Sequence, residues 1–271
     1  MLDAGSELMK KGNPSIYYEI RGKGHPLILI SGLNSDSASW AGVRGKLAKH
    51  FRVITFDNRG SGRSDTPKKK YSICEMADDA IGLLDTLRIN KCHVIGHSMG
   101  GYIAQELAIY YPERVSGLIL EATAPVSSDR NNMLFKDLVK RFKKDRDNEA
   151  LMRMWSYWLF SPKTFELKNY VVNFIKYAAA YPYFQSAEGF QGQVDAIESF
   201  NVCGQIKNIK SKTLIITGSD DILIYPSESM KLAKSIKGSA FEEIKDVGHC
   251  VHVENPDAFV SNVARFFRRI W

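Results

Sequence analysis

The amino-acid sequence predicts an α/β protein whose mostly parallel central sheet is covered by helices on both faces. Short β-rich runs recur along the chain, most are followed by a helical stretch, and one helical insertion interrupts the alternation. Strands that alternate with helices form parallel sheets, because each crossover helix packs back onto a sheet face. The chain has 271 residues, of which 44% are hydrophobic and 25% charged, so it is long enough to bury a large core.

The predicted strands are short and rich in β-branched and aliphatic residues. They comprise residues 26–30, 52–56, 92–95, 117–121, 213–217 and 240–244. A further run at residues 15–20 is predicted to pair with residues 7–10 as an antiparallel hairpin at the sheet edge. Apolar residues at helical spacing predict a helix over residues 76–87.

The alternation stops between residues 122 and 205. We therefore expect a core of residues 1–121 and 206–271 that carries a helical cap, residues 122–205. Residues 131–200 hold 15 of the chain's 30 aromatic side chains. Aromatic side chains at this density either pack the cap together or form the roof of an apolar pocket over the sheet. The candidate pocket residues are Trp155, Trp158 and Phe184.

Basic residues outnumber acidic residues by 37 to 30, which gives a net charge of +7, and much of the excess lies in residues 136–146. A solvated helix face accounts for such a run, while a docking site for an acidic carrier protein is an open alternative. No nucleic-acid-binding motif accompanies the charge, so we expect no nucleic-acid partner.

The first twelve residues lack the apolar run of a signal peptide, and no apolar stretch elsewhere is long enough to span a bilayer. We therefore expect a cytoplasmic protein with no membrane partner. The four cysteines, Cys74, Cys92, Cys203 and Cys250, form no CxxC pair and have no histidine at zinc spacing. Free thiols, no metal and no cofactor are the expectation.

The sharpest local signal is the GHSMGG motif at residues 96–101, which lies between a predicted strand and a predicted helix over residues 102–111. In this context a G-x-S-x-G motif forms a nucleophile elbow, a strained turn that lifts the serine hydroxyl above the sheet. The flanking glycines are needed because a Cβ would collide with a neighbouring strand or helix. Ser98 is therefore the candidate nucleophile.

A serine hydroxyl needs a base to take its proton, and a neutral imidazole is suited to this at physiological pH. His249 lies in a loop after the last predicted strand, so it should share the sheet edge of Ser98. His97 adjoins the nucleophile but should point away from it, and His252 begins or flanks the final helix. His249 is the candidate base.

The imidazole in turn needs a carboxylate that fixes its tautomer. Asp220 and Asp221 both follow a predicted strand at its carboxyl end. We favour Asp221, while Asp220 and, less strongly, Glu121 remain open as the acid.

Backbone N–H groups must stabilise the oxyanion of an acyl-transfer reaction. One candidate is the N–H of Met99, at the positive end of the elbow helix. The second is the N–H of Leu33, in the loop that follows the strand at residues 26–30.

With these motifs, nearly the whole chain resembles the α/β-hydrolase superfamily, in particular its small cap-bearing esterases and lactonases. Residues 57–64, DNRGSGRS, are similar to that family's D-x-R-G-x-G-x-S loop, and YPERV follows the elbow helix. Residues 57–65 and 76–112 are most like enol-lactone hydrolases and related carboxylesterases. Two departures are Ser31-Gly32 where His-Gly is usual, and Pro226 five residues after Asp221 where four is usual.

The resemblance implies a serine hydrolase that cleaves a small carboxylic ester or lactone through Ser98, Asp221 and His249 and an acyl-enzyme. Open alternatives are a hydrolase of carbon–carbon bonds, a hydrolase of carrier-linked esters, and a ligand sensor that keeps the triad. Epoxide hydrolase and haloalkane dehalogenase chemistry is disfavoured, because those relatives use an aspartate at the position of Ser98.

Overall fold

The computed structural model describes residues 5–9, 14–144 and 147–270. Within them, eight strands form a single sheet. The strands are β1 (Gly5–Met9), β2 (Ile16–Arg21), β3 (Pro26–Ile30), β4 (Arg52–Phe56), β5 (Cys92–His97), β6 (Val115–Glu121), β7 (Lys212–Gly218) and β8 (Ala240–Ile244). Their order across the sheet is β1-β2-β4-β3-β5-β6-β7-β8.

The sheet is mostly parallel, as predicted. Strand β2 pairs with β1 and β4 in antiparallel fashion, and every other neighbouring pair is parallel. The predicted edge hairpin is confirmed, with Met9 opposite Ile16; Lys10, its predicted last residue on that side, lies outside the described residues. Strand β5 extends beyond the predicted residue 95, because Gly96 and His97 continue its register with β6.

The helices cover both faces of the sheet. They are α1 (Ala41–Leu47), α2 (Ile73–Thr86), α3 (Met99–Tyr110), α4 (Asp129–Lys144), α5 (Asn148–Leu159), α6 (Pro162–Glu166), α7 (Tyr170–Ala179), α8 (Ala187–Glu198), α9 (Pro226–Ser235), α10 (Val251–Glu254) and α11 (Pro256–Phe267). Helix α2 begins earlier than the predicted residue 76, because Ser72 and Glu75 form a capping box at its start.

Alternate residues of each central strand supply two separate cores. On β3, Ile28 belongs to the core that contains α2, α3 and much of α4–α8, whereas Leu29 belongs to the core under α1 and α11. This alternation follows from the strand period of two. The four cysteines are free, as predicted. No helix in the described part of the chain is long and apolar enough to cross a membrane.

Helices α4 to α8 lie between β6 and β7 in the chain, in the region predicted to be the cap. The chain leaves and re-enters the core at one point, because Val126 pairs with Asn201 in an antiparallel bridge. The N–H of Val202 also donates to the Pro125 carbonyl, at 2.9 Å. The boundaries 1–121, 122–205 and 206–271 stay a prediction.

The C-terminal helix is anchored to the sheet by a buried imidazole. The ring of His93, on β5, stacks on Phe267 of α11 with ring centroids 4.0 Å apart, and it lies 4.3 Å from the His25 ring. Burial, together with the neighbouring charge of His25, lowers the pKa of His93 to about 3. His93 is therefore neutral in the folded protein.

This lowered pKa predicts a loss of stability in acid. Between about pH 6.5 and pH 3 the unfolded chain binds a proton that folded His93 does not bind. The free energy of unfolding should therefore decrease as the pH is lowered through this range. One such group contributes up to about 1.4 kcal/mol per pH unit. In urea titrations across this range, His93→Phe should show a shallower pH dependence than the wild type. Exposed His50→Gln is the control, and identical slopes in all three proteins would contradict the assignment.

Candidate active site

Ser98 lies in a strained turn between β5 and α3. Its backbone angles are φ 55° and ψ −118°, in a region that residues other than glycine rarely occupy. The N–H of Ser98 donates to the Glu121 carbonyl at 2.9 Å, and the Thr123 hydroxyl donates to the Ser98 carbonyl at 3.0 Å. Ser98 is partly exposed although His97 and Met99 are buried, so the turn presents this side chain to the surface of the core.

The glycines of the GHSMGG motif allow the close packing predicted for a nucleophile elbow. A Cβ on Gly96 would lie 2.2 Å from the Gly100 carbonyl oxygen, and one on Gly100 would lie 2.1 Å from the Ile30 carbonyl oxygen. Real Cβ atoms do not approach backbone this closely. The strand, the elbow helix and the end of β3 therefore meet only because both residues are glycine.

The structure brings Asp221 and His249 together. Nδ1 of His249 lies 2.8 Å from Oδ2 of Asp221, and both residues are almost completely buried. The other oxygen, Oδ1, accepts the backbone N–H groups of Leu223 and Ile224, each at 2.9 Å. This carboxylate holds the proton of the neutral imidazole on Nδ1 and leaves Nε2 as the basic atom.

The two alternative acids have other partners. Oδ1 of Asp220 accepts the hydroxyl of Ser219 at 2.9 Å. Glu121 accepts both Nδ1–H of His252, at 2.8 Å, and the backbone N–H of His252, at 2.9 Å. Asp221 is thus the carboxylate that the structure pairs with His249.

A second buried polar group lies beside this pair. His97 donates from Nε2 to the His249 carbonyl at 3.1 Å, and burial keeps the pKa of His97 well below its usual value. The rings of His97 and His252 are 4.8 Å apart. His97, Glu121 and His252 also offer ligand atoms that lie within 4.8 Å of one another. Glu121 and Nδ1 of His252 already bond each other, and His97 bonds the His249 carbonyl, so this cluster supports the loop of His249. The absence of a metal stays a prediction.

The candidate oxyanion loop lies against Ser98. A Cβ on Gly32 would be 3.2 Å from the Cβ of Ser98, and Leu33 is buried at the same edge. Among the hydrogen bonds in the described part of the chain, none uses the N–H of Leu33 or of Met99. Both N–H groups are therefore open to a ligand, and their role as oxyanion donors stays a prediction.

Ser31 replaces the usual histidine in this loop, and its hydroxyl has a clear structural role. It accepts Nε1–H of Trp40 at 3.0 Å and donates to the Asp36 carbonyl at 2.8 Å. These bonds tie the start of the loop to the turn at Ser37–Trp40. Although Ser31 departs from the family pattern, its hydrogen bonds hold the loop in place.

The loop of His249 is also bonded to the cap helices, which the sequence did not predict. The N–H of His249 donates to the Leu159 carbonyl at 2.9 Å. Oε1 of Glu254 accepts the Gly248 N–H at 2.8 Å, and Oε2 accepts from Ser161 and Thr164. Glu254 therefore joins the end of α5 and the start of α6 to the residue that precedes His249.

A pocket of about 160 Å³ opens next to the oxyanion loop, between that loop and the cap. Phe184 lines this pocket, and its role in binding substrate stays a prediction. Trp155 instead packs edge-on against Phe135, with centroids 6.0 Å apart, and the ring of Trp158 lies 5.7 Å from the Arg130 guanidinium. The pocket roles of the two tryptophans stay predictions.

The family model described as alpha/beta hydrolase fold matches residues 25–256. The chain therefore belongs to the α/β-hydrolase family. A curated relative named "Putative carbamate hydrolase RutD", from Caulobacter vibrioides, is 27% identical over 257 residues, which are 93% of this chain and 94% of the relative.

Two solved structures share this fold over almost the whole length of the chain. The enol-lactonase from Burkholderia xenovorans has a TM-score of 0.89 and 27% identity, with 97% of this chain and 100% of that chain covered. A thermophilic esterase from Thermogutta terrifontis has a TM-score of 0.87 at 24% identity, with 99% of each chain covered, which shows the fold alone. The family and the names of its members support hydrolase activity for this α/β hydrolase.

The bridge formed by Glu254 gives a direct prediction. An amide accepts hydrogen bonds through one atom only, so Glu254→Gln should lose either the Gly248 bond or the bonds to Ser161 and Thr164. We expect a loss of about 1–3 kcal/mol in the free energy of unfolding. Hydrogen exchange should become faster at the amides of Gly248, His249 and Ser161. Exposed Glu243→Gln is the control, and unchanged exchange at these amides would contradict the bridge.

Proposed function

We propose that this protein is a serine hydrolase that cleaves a small carboxylic ester or lactone through an acyl-enzyme. Ser98 is the nucleophile, His249 the general base and Asp221 the orienting carboxylate. The observation that carries the proposal is the strained, partly exposed Ser98 at the same sheet edge as the buried pair of His249 and Asp221, whose Nδ1 and Oδ2 are 2.8 Å apart. A sheet edge with this combination suits acyl transfer.

In the first half-reaction, the Ser98 hydroxyl oxygen attacks the substrate carbonyl carbon while Nε2 of His249 takes its proton. The carbonyl π electrons move to oxygen, which the N–H groups of Leu33 and Met99 stabilise. When the carbonyl re-forms, the bond to the alcohol oxygen breaks and His249 donates its proton to that oxygen. Each oxyanion donor is typically worth about 3 kcal/mol in the transition state.

In the second half-reaction, water attacks the acyl-enzyme, again with His249 as the base, and the acid is released as Ser98 regains its proton. Asp221 stays ionised and stabilises the imidazolium of each step. For a lactone, the alcohol and the acid remain in one product molecule.

The relatives support a carbonyl substrate of small size. One is named an enol-lactonase and another "Putative carbamate hydrolase RutD", and each is 27% identical to this chain over most of its length. Both names describe hydrolysis at a carbonyl carbon bonded to a heteroatom. They favour an ester or a lactone over the carbon–carbon bond and sensor alternatives.

The basic run at residues 136–146 is partly neutralised within the cap. Lys136 pairs with Glu198, and Lys140 lies 2.8 Å from Asp137. Asp145 and Arg146 lie outside the described residues. An acidic carrier protein stays a prediction that the proposed chemistry does not need.

Loss of the Ser98 hydroxyl should abolish the reaction. Ser98→Ala should lower hydrolysis of p-nitrophenyl butyrate by at least about 10⁴-fold, because no other group forms the acyl-enzyme. It should also prevent labelling by a fluorophosphonate, measured by intact-protein mass spectrometry. Ser199→Ala, which removes a cap hydroxyl bonded to the Ala196 carbonyl, is the control. Labelling of the Ser98→Ala protein would sink the assignment.

Matched amide substitutions distinguish the three candidate acids. Asp221→Asn should lower kcat by about 10⁴-fold, because an amide that donates to Nδ1 selects the wrong imidazole tautomer. Asp220→Asn should change kcat by less than about tenfold, since its side chain bonds Ser219 instead. Glu121→Gln should act mainly on stability. If kcat fell more in Asp220→Asn than in Asp221→Asn, the role would pass to Asp220.

A further inference from the structure

The pocket beside the oxyanion loop combines aromatic rings with one carboxylate. Its aromatic side chains come from α7 and the segment after it, and they are Phe174, Tyr177, Tyr181, Tyr183 and Phe184. From the core side it is lined by the residues directly after Leu33, including Asp36. Within the described part of the chain, no lysine or arginine lines it.

Asp36 is a buried carboxylate, with 7% of its surface exposed. Its Oδ1 accepts the Ala38 N–H at 2.8 Å, and the Tyr181 hydroxyl faces the same carboxylate as a donor. Its Oδ2 lies beside Gly62, which also lines the pocket. The carboxylate therefore lies between the core loop and the cap at the wall of the pocket.

This carboxylate has no ion-pair partner among the described residues. The guanidinium of Arg63, whose charge acts on Asp36, instead donates to both oxygens of Asp57, at 2.8 Å and 3.1 Å, and to the Ser37 hydroxyl. Arg63 and Arg44 also pair with Glu19. The direct ionic contacts of both guanidinium groups thus go to Asp57 and Glu19, and Arg63 acts on Asp36 only as a nearby charge that does not offset its burial.

A buried carboxylate without a counter-charge is unfavourable. Burial and the nearby Asp57 raise the pKa of Asp36 to about 6, so the group is still mostly ionised at neutral pH. A cation that enters the pocket would supply the missing charge. Aromatic rings around it would add cation–π attraction, which proteins use to bind quaternary ammonium groups.

We propose that this pocket is a subsite for a positively charged amine or ammonium group of the substrate, with Asp36 as counter-charge and the Tyr181 and Phe184 rings as walls. The inference rests on the proposed function in one respect: the pocket can hold part of the substrate only if Leu33 is an oxyanion donor, because Asn34, the next residue, lines the pocket. It deepens that function by naming a cationic ester as the preferred substrate class.

The first experiment measures binding without turnover. Choline and 3,3-dimethylbutan-1-ol have the same shape and differ in charge, so calorimetric titration of each into Ser98→Ala protein isolates the charge. We expect choline to bind at least about tenfold more tightly. Equal affinities would overturn the proposal.

The variants test which side chain is responsible. Asp36→Asn removes the charge but keeps the hydrogen bond to Ala38, because asparagine and aspartate cap equally well. It should abolish the preference for choline, whereas Asp85→Asn, an exposed carboxylate on α2, should retain it. Tyr181→Leu and Phe184→Leu should each reduce the preference several-fold. A preference that survives in Asp36→Asn would overturn the role of Asp36, and the leucine variants carry the test if Asp36→Asn fails to fold.

The second experiment separates this inference from the proposed function. Values of kcat/KM are measured for butyrylcholine and for 3,3-dimethylbutyl butyrate. A preference of about tenfold or more for butyrylcholine, lost in Asp36→Asn, supports both. If neither ester is cleaved but choline still binds selectively, the proposed function fails and the subsite stands. If both are cleaved equally by way of Ser98 and choline binds no better than the alcohol, the subsite fails and the hydrolase stands.

Discussion

The site depends on one constraint, the positive φ of Ser98 between β5 and α3. A residue other than glycine in this region costs about 1–3 kcal/mol, which the surrounding hydrogen bonds and packing must offset. Bonds to the Glu121 carbonyl and from Thr123 hold the turn, and Gly100 lets α3 rest on the end of β3. Because β3 ends there, the loop that follows it is delivered to Ser98. The same packing therefore positions both the candidate nucleophile and the candidate oxyanion donors.

His249 is held in place from both the core and the cap region. Asp221 fixes the ring of His249 from the loop after β7, whereas the Leu159 carbonyl accepts its backbone N–H from the cap region. Glu254 of α10 bonds both Gly248 and Ser161 and so joins the two sides. The cap is thus bonded to the loop that carries the candidate base, as well as covering the neighbouring pocket. A substrate that shifted α5 or α6 would strain these bonds and move His249.

The sequence predicted the elements whose signals are local. The GHSMGG motif and the strand-end position of His249 follow from short patterns and from the rule that parallel strands end at one edge. Asp220 and Asp221 could not be separated in this way, because adjacent residues at a strand end differ only in side-chain direction. Glu254 had no signal at all, since Ser161 lies 93 residues away from it. Phe184 and Trp155 are both aromatic, so composition could not tell a pocket wall from packing.

The net charge of the chain is positive, whereas the carboxylate of Asp36 at the pocket is negative. The distance over which each charge acts decides which of them affects a bound ligand more. The chain carries +7, which attracts anions weakly at long range, but salt screens such attraction beyond about 8 Å under physiological conditions. The carboxylate of Asp36 is itself buried, so salt and water screen its charge less than they screen the charges on the surface. On the proposed subsite, a cationic substrate would meet slight repulsion on approach and a compensating charge once bound, so its selectivity would come from contact with Asp36 and not from long-range attraction.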